Sequence, residues 1–524
     1  MIKNQRSKIK KPLFLLYIFS ISLVVFLVRF FPLFLTNLFG CGNCFSNLFS
    51  FFNLTDVWAY LAEIRMGQQG SWLLMKEFGT DPQELFFIRV LYVWWGQVAG
   101  LLSLGPEIAY FVLCFLLIFF LVWIVFSFTN FFFQKTSHRL WVVFLVLFSS
   151  LPFSEFLVDS TLFFSLEMPH LIFDQVCFLT IFYLFFKRDL LKKGKEKQKN
   201  LFFVFIIGLA LSLSHVFINW MLTAILFFWF VFSSSVLKKK NSRSFLLSLF
   251  FSSLPMSAYL LWLSWKNEFF RYWLGENQFP ALPFKFFLPW LLLFFVSFFF
   301  LPALAKKNKP MKERVIFLLF FFIFQFLFYL FPVGWRMRFL EGWWLSLSFF
   351  LGLVLIDLWK KSQGCLLGRF LLIFLFLFFV LSGFFGLLTV RFHPLFSTIA
   401  VEKKVFISRE ERQSLDFLES NCNFSKIVLT EPIRGHYLPA RTGCRSVVGH
   451  PHLTFNYSQE ALAVKRFFNG EMGFEEKEYF LERRGVDYLF LSRQEAEKSK
   501  AADLESAILI FENGEFLIFK VNEE

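Results

Sequence analysis

What most constrains this chain is a succession of long, nearly charge-free apolar runs separated by short lysine-rich turns. A run of about 20 apolar residues finds its solvent in a bilayer, whose hydrocarbon core is roughly 30 Å thick and admits only backbone that satisfies its own hydrogen bonds. Eleven spans are read, at 13–34, 107–133, 139–153, 169–186, 201–215, 216–236, 245–264, 284–304, 315–331, 343–358 and 370–390. The composition agrees, since 57% hydrophobic residues and 88 Phe in a chain of 524 exceed what one soluble core absorbs. The expected fold class is an α-helical polytopic membrane protein carrying a small C-terminal α/β domain.

A formal charge of +15 would point to nucleic acid if the cations lined one soluble face. Here they sit in clusters between apolar runs, such as Lys187–Lys199 and Lys238–Arg243, which is the pattern of cytoplasmic loops, and nucleic acid is set aside. Taking the loops alternately, one side carries 26 Lys and Arg and the other, without the tail, carries seven. The basic N-terminus is therefore expected in the cytoplasm, the first span uncleaved, and the tail outside. This holds only if Leu85–Leu104 does not cross. With Arg89, Trp94, Trp95 and Gln97 inside it and Pro82 and Pro106 flanking it, it reads as an interfacial or re-entrant helix in a long external loop, 36–106; a true hairpin is the alternative.

After Val390 charged residues recur every few positions, marking a water-soluble domain over 391–524. Strands are expected at Lys426–Thr430, Arg445–Val448, Val486–Ser492, Ala507–Phe511 and Phe516–Val521, and helices at Arg409–Asn421, Gln459–Asn469 and Glu475–Arg484. Cys422 and Cys444 are the only cysteines of this domain and can pair, while Cys41 and Cys44 form a CxxC without the second CxxC or His that zinc requires.

The candidate functional residues gather on the outer side. Asp56 lies in the first external loop with Tyr60 one helical turn on. A carboxylate at the membrane surface can act as a general base or hold a divalent cation, although helix capping also explains an Asp there. The second external loop brings Glu155, Asp159, Glu167 and His170 together with no cation, which suits proton handling or metal binding and equally a solvated acidic loop. His215 stands between two spans. Arg336 and Arg338 are the only cations of their loop, and guanidinium matches a lipid phosphate, with snorkelling anchors as the plain alternative.

Two stretches carry a family resemblance: Asp56-Val-Trp-Ala-Tyr60-Leu-Ala-Glu-Ile-Arg-Met-Gly67-Gln-Gln-Gly70-Ser-Trp72 and Asp159-Ser-Thr-Leu-Phe-Phe-Ser165-Leu-Glu-Met-Pro169-His170. With Gly435-His-Tyr-Leu-Pro439-Ala-Arg-Thr-Gly443 and Gly449-His450-Pro-His-Leu-Thr454 in the tail, the arrangement resembles the GT-C superfamily of membrane glycosyltransferases. The likeness is to a bacterial branch related to protein O-mannosyltransferases and lipid A aminoarabinose transferases. The resemblance implies a plasma (inner) membrane enzyme that transfers a sugar from a polyprenyl-phosphate donor to a cell-envelope glycan, lipid or protein on the outer face. It further implies Asp56, Asp159 and His170 as catalytic residues, and Asp56 and Asp159 as ligands of a divalent cation such as magnesium or manganese. Tyr60, Glu167, His215, Arg336 and Arg338 would then bind substrate. The motif departs from the mannosyltransferases in lacking a second acid beside Asp56. A lipid-linked substrate transporter or flippase and a catalytically inactive envelope scaffold are the competing readings, the former disfavoured because the spans themselves carry almost no charge.

Overall fold

The computed structural model describes residues 11–39, 44–46, 54–80, 84–148, 168–188, 194–236, 243–276, 295, 309–332, 336–395 and 406–521. Helices run in chain order as α1 Lys11–Phe39, α2 Leu54–Gln68, α3 Val90–Leu101, α4 Pro106–Thr129, α5 Thr136–Phe148, α6 Pro169–Arg188 and α7 Lys195–Ser235. They continue as α8 Arg243–Lys266, α9 Glu268–Glu276, α10 Lys309–Tyr329, α11 Trp343–Lys361 and α12 Leu366–Leu395. Among the described residues six helices are long and apolar enough to cross a membrane; the span expected at 284–304 lies outside them apart from Phe295. The chain is thus a multi-pass membrane protein.

Chain contacts divide the molecule into two compact units. The first comprises Met1–Arg29, Cys114–Lys266 and Asn277–Val390, and the second Phe30–Leu113, Asn267–Glu276 and Arg391–Glu524.

In the first unit the Phe enrichment becomes a packing device. Phe128 meets Phe186 and Phe349 at ring-centroid distances of 5.5 and 5.1 Å, and Phe182 meets Phe321 edge-on at 4.8 Å. Rings supply the interhelical van der Waals contact that lipid cannot drive hydrophobically. Helix α7 is broken at His215, whose backbone (φ −142°, ψ 92°) leaves the helical region. Asn219 donates from Nδ2 to Gly208 O at 2.9 Å and to Ser212 Oγ at 2.7 Å. In a straight helix Gly208 and Asn219 would stand ~16 Å apart along the axis, so the two halves fold back on each other about His215. This is the boundary at which the sequence separates 201–215 from 216–236. At the lysine-bearing end, Arg314 lies 5.3 Å from the Phe131 ring centroid, Lys187 5.8 Å from that of Tyr183, and Phe131 packs on Tyr183 at 5.4 Å.

The second unit joins the segment between α1 and α4 to the tail. Strand β1 (Cys44–Ser46) pairs antiparallel with β2 (Phe406–Ser408). A five-stranded sheet follows, from β3 (Ile427–Leu429), β4 (Arg445–Ser446), β5 (Tyr488–Ser492), β6 (Ala507–Glu512) and β7 (Phe516–Val521), in the order β4-β3-β5-β7-β6. The pairs β3–β4 and β3–β5 are parallel and the rest antiparallel. Helices α13 (Arg409–Asn421) and α14 (Pro432–Thr442) precede and follow β3. Ser408 caps α13 by accepting the Glu411 N–H at 3.1 Å, and Cys422 is disulfide-bonded to Cys444.

Helix α2 is buried on nearly every face instead of one, because it lies between α3 and α14. Its crossing with α3 is backbone against backbone. A Cβ on Gly67 would stand 2.0 Å from Val93 O, and one on Gly96 2.1 Å from Ile64 O, so only glycine fits at either position. Helix α3 has 12 residues, about 18 Å, too short to traverse the hydrocarbon core.

Candidate active site

Asp56 stands within the first turn of α2, where the unpaired N–H groups of a helix start favour an anion. Its Oδ1 receives a hydrogen bond from His450 Nε2 at 2.7 Å. The imidazole's other nitrogen, Nδ1, accepts the His452 backbone N–H at 3.1 Å, which leaves the ring proton on Nε2, facing the carboxylate. The His450 side chain is 5% exposed and that of Asp56 29%, so the histidine is the buried orienting partner and the carboxylate is the accessible member.

The tail motifs explain how His450 is held. Gly449 admits no side chain, since a Cβ there would sit 2.2 Å from the Phe78 ring and 2.7 Å from Gly435 O, and a Cβ on Gly435 would sit 1.8 Å from Val448 O. Gly435 and Gly449 therefore let two backbones touch beneath the imidazole. Thr454 closes the turn, accepting the Gly449 N–H at 3.2 Å while its own N–H donates to His450 O at 2.9 Å. Beside the pair, His436 lies edge-on to Trp58, and burial together with nearby His450 lowers its pKa to about 3, so it stays neutral.

Two turns along α2 from Asp56, the fully buried Glu63 forms an ion pair with Arg89. Arg89 precedes α3 in the left-handed region (φ 53°), a conformation an L-residue keeps only where its surroundings fix it, and its guanidinium lies 5.3 Å from the Tyr60 ring centroid. Tyr60 stacks on Tyr92 at 4.5 Å and 7°. Burial pushes Glu63 well above the usual carboxylate range against the pull of Arg89, and burial raises Glu77 to about 7. Burial works against the charge of Arg89, but Glu63, Tyr60, Glu77 and Asp56 together hold it above the ordinary arginine value.

A small cleft opens beside this network, lined by Lys76, Glu77, Arg89, Phe269, Trp273 and Leu453 among others. Among the described residues no group of three or more His, Cys, Asp or Glu is arranged to hold a metal.

The remaining expected site residues fall elsewhere. His170 and His215 are in the first unit, with rings 5.4 Å apart, and His215 Nδ1 is 2.5 Å from Oδ2 of Asp174, a buried carboxylate in α6. Arg338, also in the first unit, pairs with Glu341 at 3.2 Å. Asp159 and Glu167 lie outside the described residues, as do Cys41 and the side chains of Cys44 and Arg336. The Gly449-His450 motif gives the histidine no role from sequence alone, and the one local mark of Asp174 is an acid in an otherwise apolar span.

No family model matches the sequence, and no curated protein matches it. Among solved structures the chain is similar to the oligosaccharyltransferase of Archaeoglobus fulgidus. The form in complex with zinc and sulfate gives a TM-score of 0.51 at 14% identity over 96% of this chain and 73% of that one. The apo form gives 0.53 at 13% identity over 98% and 75%. The chain accordingly shares the fold of that archaeal oligosaccharyltransferase.

Proposed function

We propose that this protein is a glycosyltransferase that moves a sugar from a polyprenyl-phosphate-linked donor to a cell-envelope acceptor on the outer face of the membrane. The observation that carries the reading is the Asp56–His450 pair: an accessible carboxylate at a helix start, oriented by a buried imidazole whose proton faces it. In this role Asp56 takes the proton of the acceptor hydroxyl as the new glycosidic bond forms, and His450 fixes the carboxylate and disperses its charge. The general-base contribution is of the order of 10²–10⁴ in rate. A divalent cation would be held by Asp56 and Asp159 and would neutralise the departing phosphate. Arg336 and Arg338 are the guanidiniums proposed to bind that phosphate, which requires Arg338 to exchange Glu341 for it. The clustering of Arg314, Lys187 and their aromatic partners at one end of the first unit supports a cytoplasmic face there, with the tail outside.

The test is sugar transfer by the purified protein in lipid nanodiscs, supplied with a panel of polyprenyl-phosphate sugars and envelope acceptors. Asp56→Asn is expected to lower the rate at least a hundredfold, and His450→Ala by about tenfold or more. A wild-type rate in Asp56→Asn would exclude the assignment.

A transporter or flippase is the second reading, favoured by the pairing of buried Asp174 with half-buried His215 at the α7 break, since transporters place ionisable groups on interrupted helices. Movement of a lipid-linked sugar across proteoliposomes, abolished by Asp174→Asn and indifferent to Asp56→Asn, would select it.

A further inference from the structure

The floor under His450 comes from the segment between α2 and α3. Residues 77–79 lie along the outer edge of β4. Phe78 bridges Ser446 in parallel, the Ser446 N–H donates to Glu77 O at 3.1 Å, and the Gly79 N–H donates to Ser446 O at 2.9 Å. Arg445 clamps the end of this segment, its Nη2 donating to Gly79 O at 2.7 Å. The start is fixed by Leu74, which exchanges both backbone hydrogen bonds with Phe86, at 3.0 and 2.9 Å. Phe78 is thus carried on backbone that is tied at both ends and paired in the middle.

Phe78 is 1% exposed and forms one small core with Ala59 and Leu453, against which Trp273 packs. Both core partners belong to the supports of the proposed catalytic pair. Ala59 follows Asp56 by three residues on α2, so the two are neighbours on the helix surface. Leu453 follows His450 by three residues, and its N–H donates to His450 O at 3.1 Å. The Phe78 ring centroid also stands 6.3 Å from that of the His450 imidazole. The helix of the carboxylate and the turn of the imidazole therefore share one aromatic ring. We infer that Phe78 is a positioning residue, a spacer between α2 and the His450 turn that sets the distance at which the His450 Nε2–H reaches Asp56. Its effect on rate rests on the glycosyl-transfer reading, whereas its effect on the hydrogen bond does not. Enclosed as it is, the ring meets no substrate, so its loss acts on the aim of Asp56 and leaves substrate affinity alone. A smaller side chain leaves space that the two supports close only in part, each by its own movement. The 2.7 Å contact between His450 and Asp56 weakens steeply under such a shift. Misplacement of a reacting group by about 1 Å costs up to roughly 10²-fold in rate.

Two measurements on the full-length protein in lipid nanodiscs test this role. The first is NMR of isotope-labelled histidine, in which the His450 Nε2–H proton is identified by its loss in His450→Ala. In Phe78→Ala that proton is expected to lose its downfield shift, as it does in Asp56→Asn, and in Phe78→Leu to keep most of it. The second is steady-state transfer. Phe78→Ala should lower kcat about tenfold at a KM within about twofold of wild type, and should lower it no further in a His450→Ala background. A loss through general unfolding would instead multiply with that of His450→Ala. Phe78→Leu, which keeps most of the bulk, should stay within about threefold of wild type. Should Phe78→Ala not fold, Phe78→Val carries both measurements with a smaller drop. An undisturbed His450 proton in the folded Ala or Val variant overturns the spacer role, and so does a rate loss that multiplies on that of His450→Ala. A lost proton shift in a protein whose wild type transfers no sugar keeps the spacer and removes the glycosyl-transfer reading.

Discussion

Replacing Glu77 by Gln should flatten the pH dependence of stability between about 4.5 and 7. The folded protein holds Glu77 protonated up to about 7, whereas the unfolded chain releases that proton near 4.5. The native state therefore binds more protons across that window, and stability falls as pH rises through it. At 1.36 kcal/mol per pH unit the loss is ~3 kcal/mol by neutral pH. Full burial of the side chain argues against screening by solvent. Glutamine keeps the shape and cannot ionise, so it removes the loss. In fluorescence-monitored thermal unfolding of the detergent-solubilised protein, the mutant is expected to gain on wild type with rising pH. The difference should reach on the order of 5–10 °C at pH 8, for a cooperative unit of roughly 200 residues. Glu77 is one of the charges that raise Glu63, so the comparison is repeated with Glu63→Gln in both proteins to isolate Glu77. Parallel pH profiles for the two proteins would refute the burial argument.

Arg89→Ala should destabilise by ~3–5 kcal/mol because it strands the buried Glu63, and adding Glu63→Gln should recover most of the loss; a double-mutant cycle in thermal unfolding reads the coupling. Gly67→Ala drives a methyl into Val93 O and is expected to cost ~3 kcal/mol or more, seen as accelerated proteolysis of the first loop, whereas Gly70→Ala, with open space around it but a positive φ, should cost ~1 kcal/mol. Reducing Cys422–Cys444, which closes a separation of 22 residues, should remove ~3 kcal/mol from the tail, measured as a lower melting temperature in reductant.

Much of this architecture can be read from the chain, and the reason is local. Apolar runs declare spans because lipid leaves no other choice, and the tail helix 409–421 starts and stops where its Ser408 cap and amphipathic spacing place it. The break at His215 is legible as the joint between two apolar runs. Helix α14 was not, since Pro439 and Gly435 within Pro432–Thr442 argue against a helix, and packing against α2 overrides them. Asp56 stood out by position. Its partner did not, because the bond to His450 spans a separation of 394 residues and depends on glycines whose contacts no local pattern reveals. Nothing local marks Glu63; that it is fully buried against Arg89 follows only from α3 folding over it.

The pairing of β1 with β2, and of Asp56 with His450, has a consequence for biogenesis. A ribosome adding about 5–20 residues per second makes the two halves of the second unit roughly 20–80 s apart. In the proposed orientation the early loop crosses the bilayer without the strand and helix that will cover it. Its ordering is thus a post-translational event, and the nascent loop is a natural client for chaperones on the far side of the membrane.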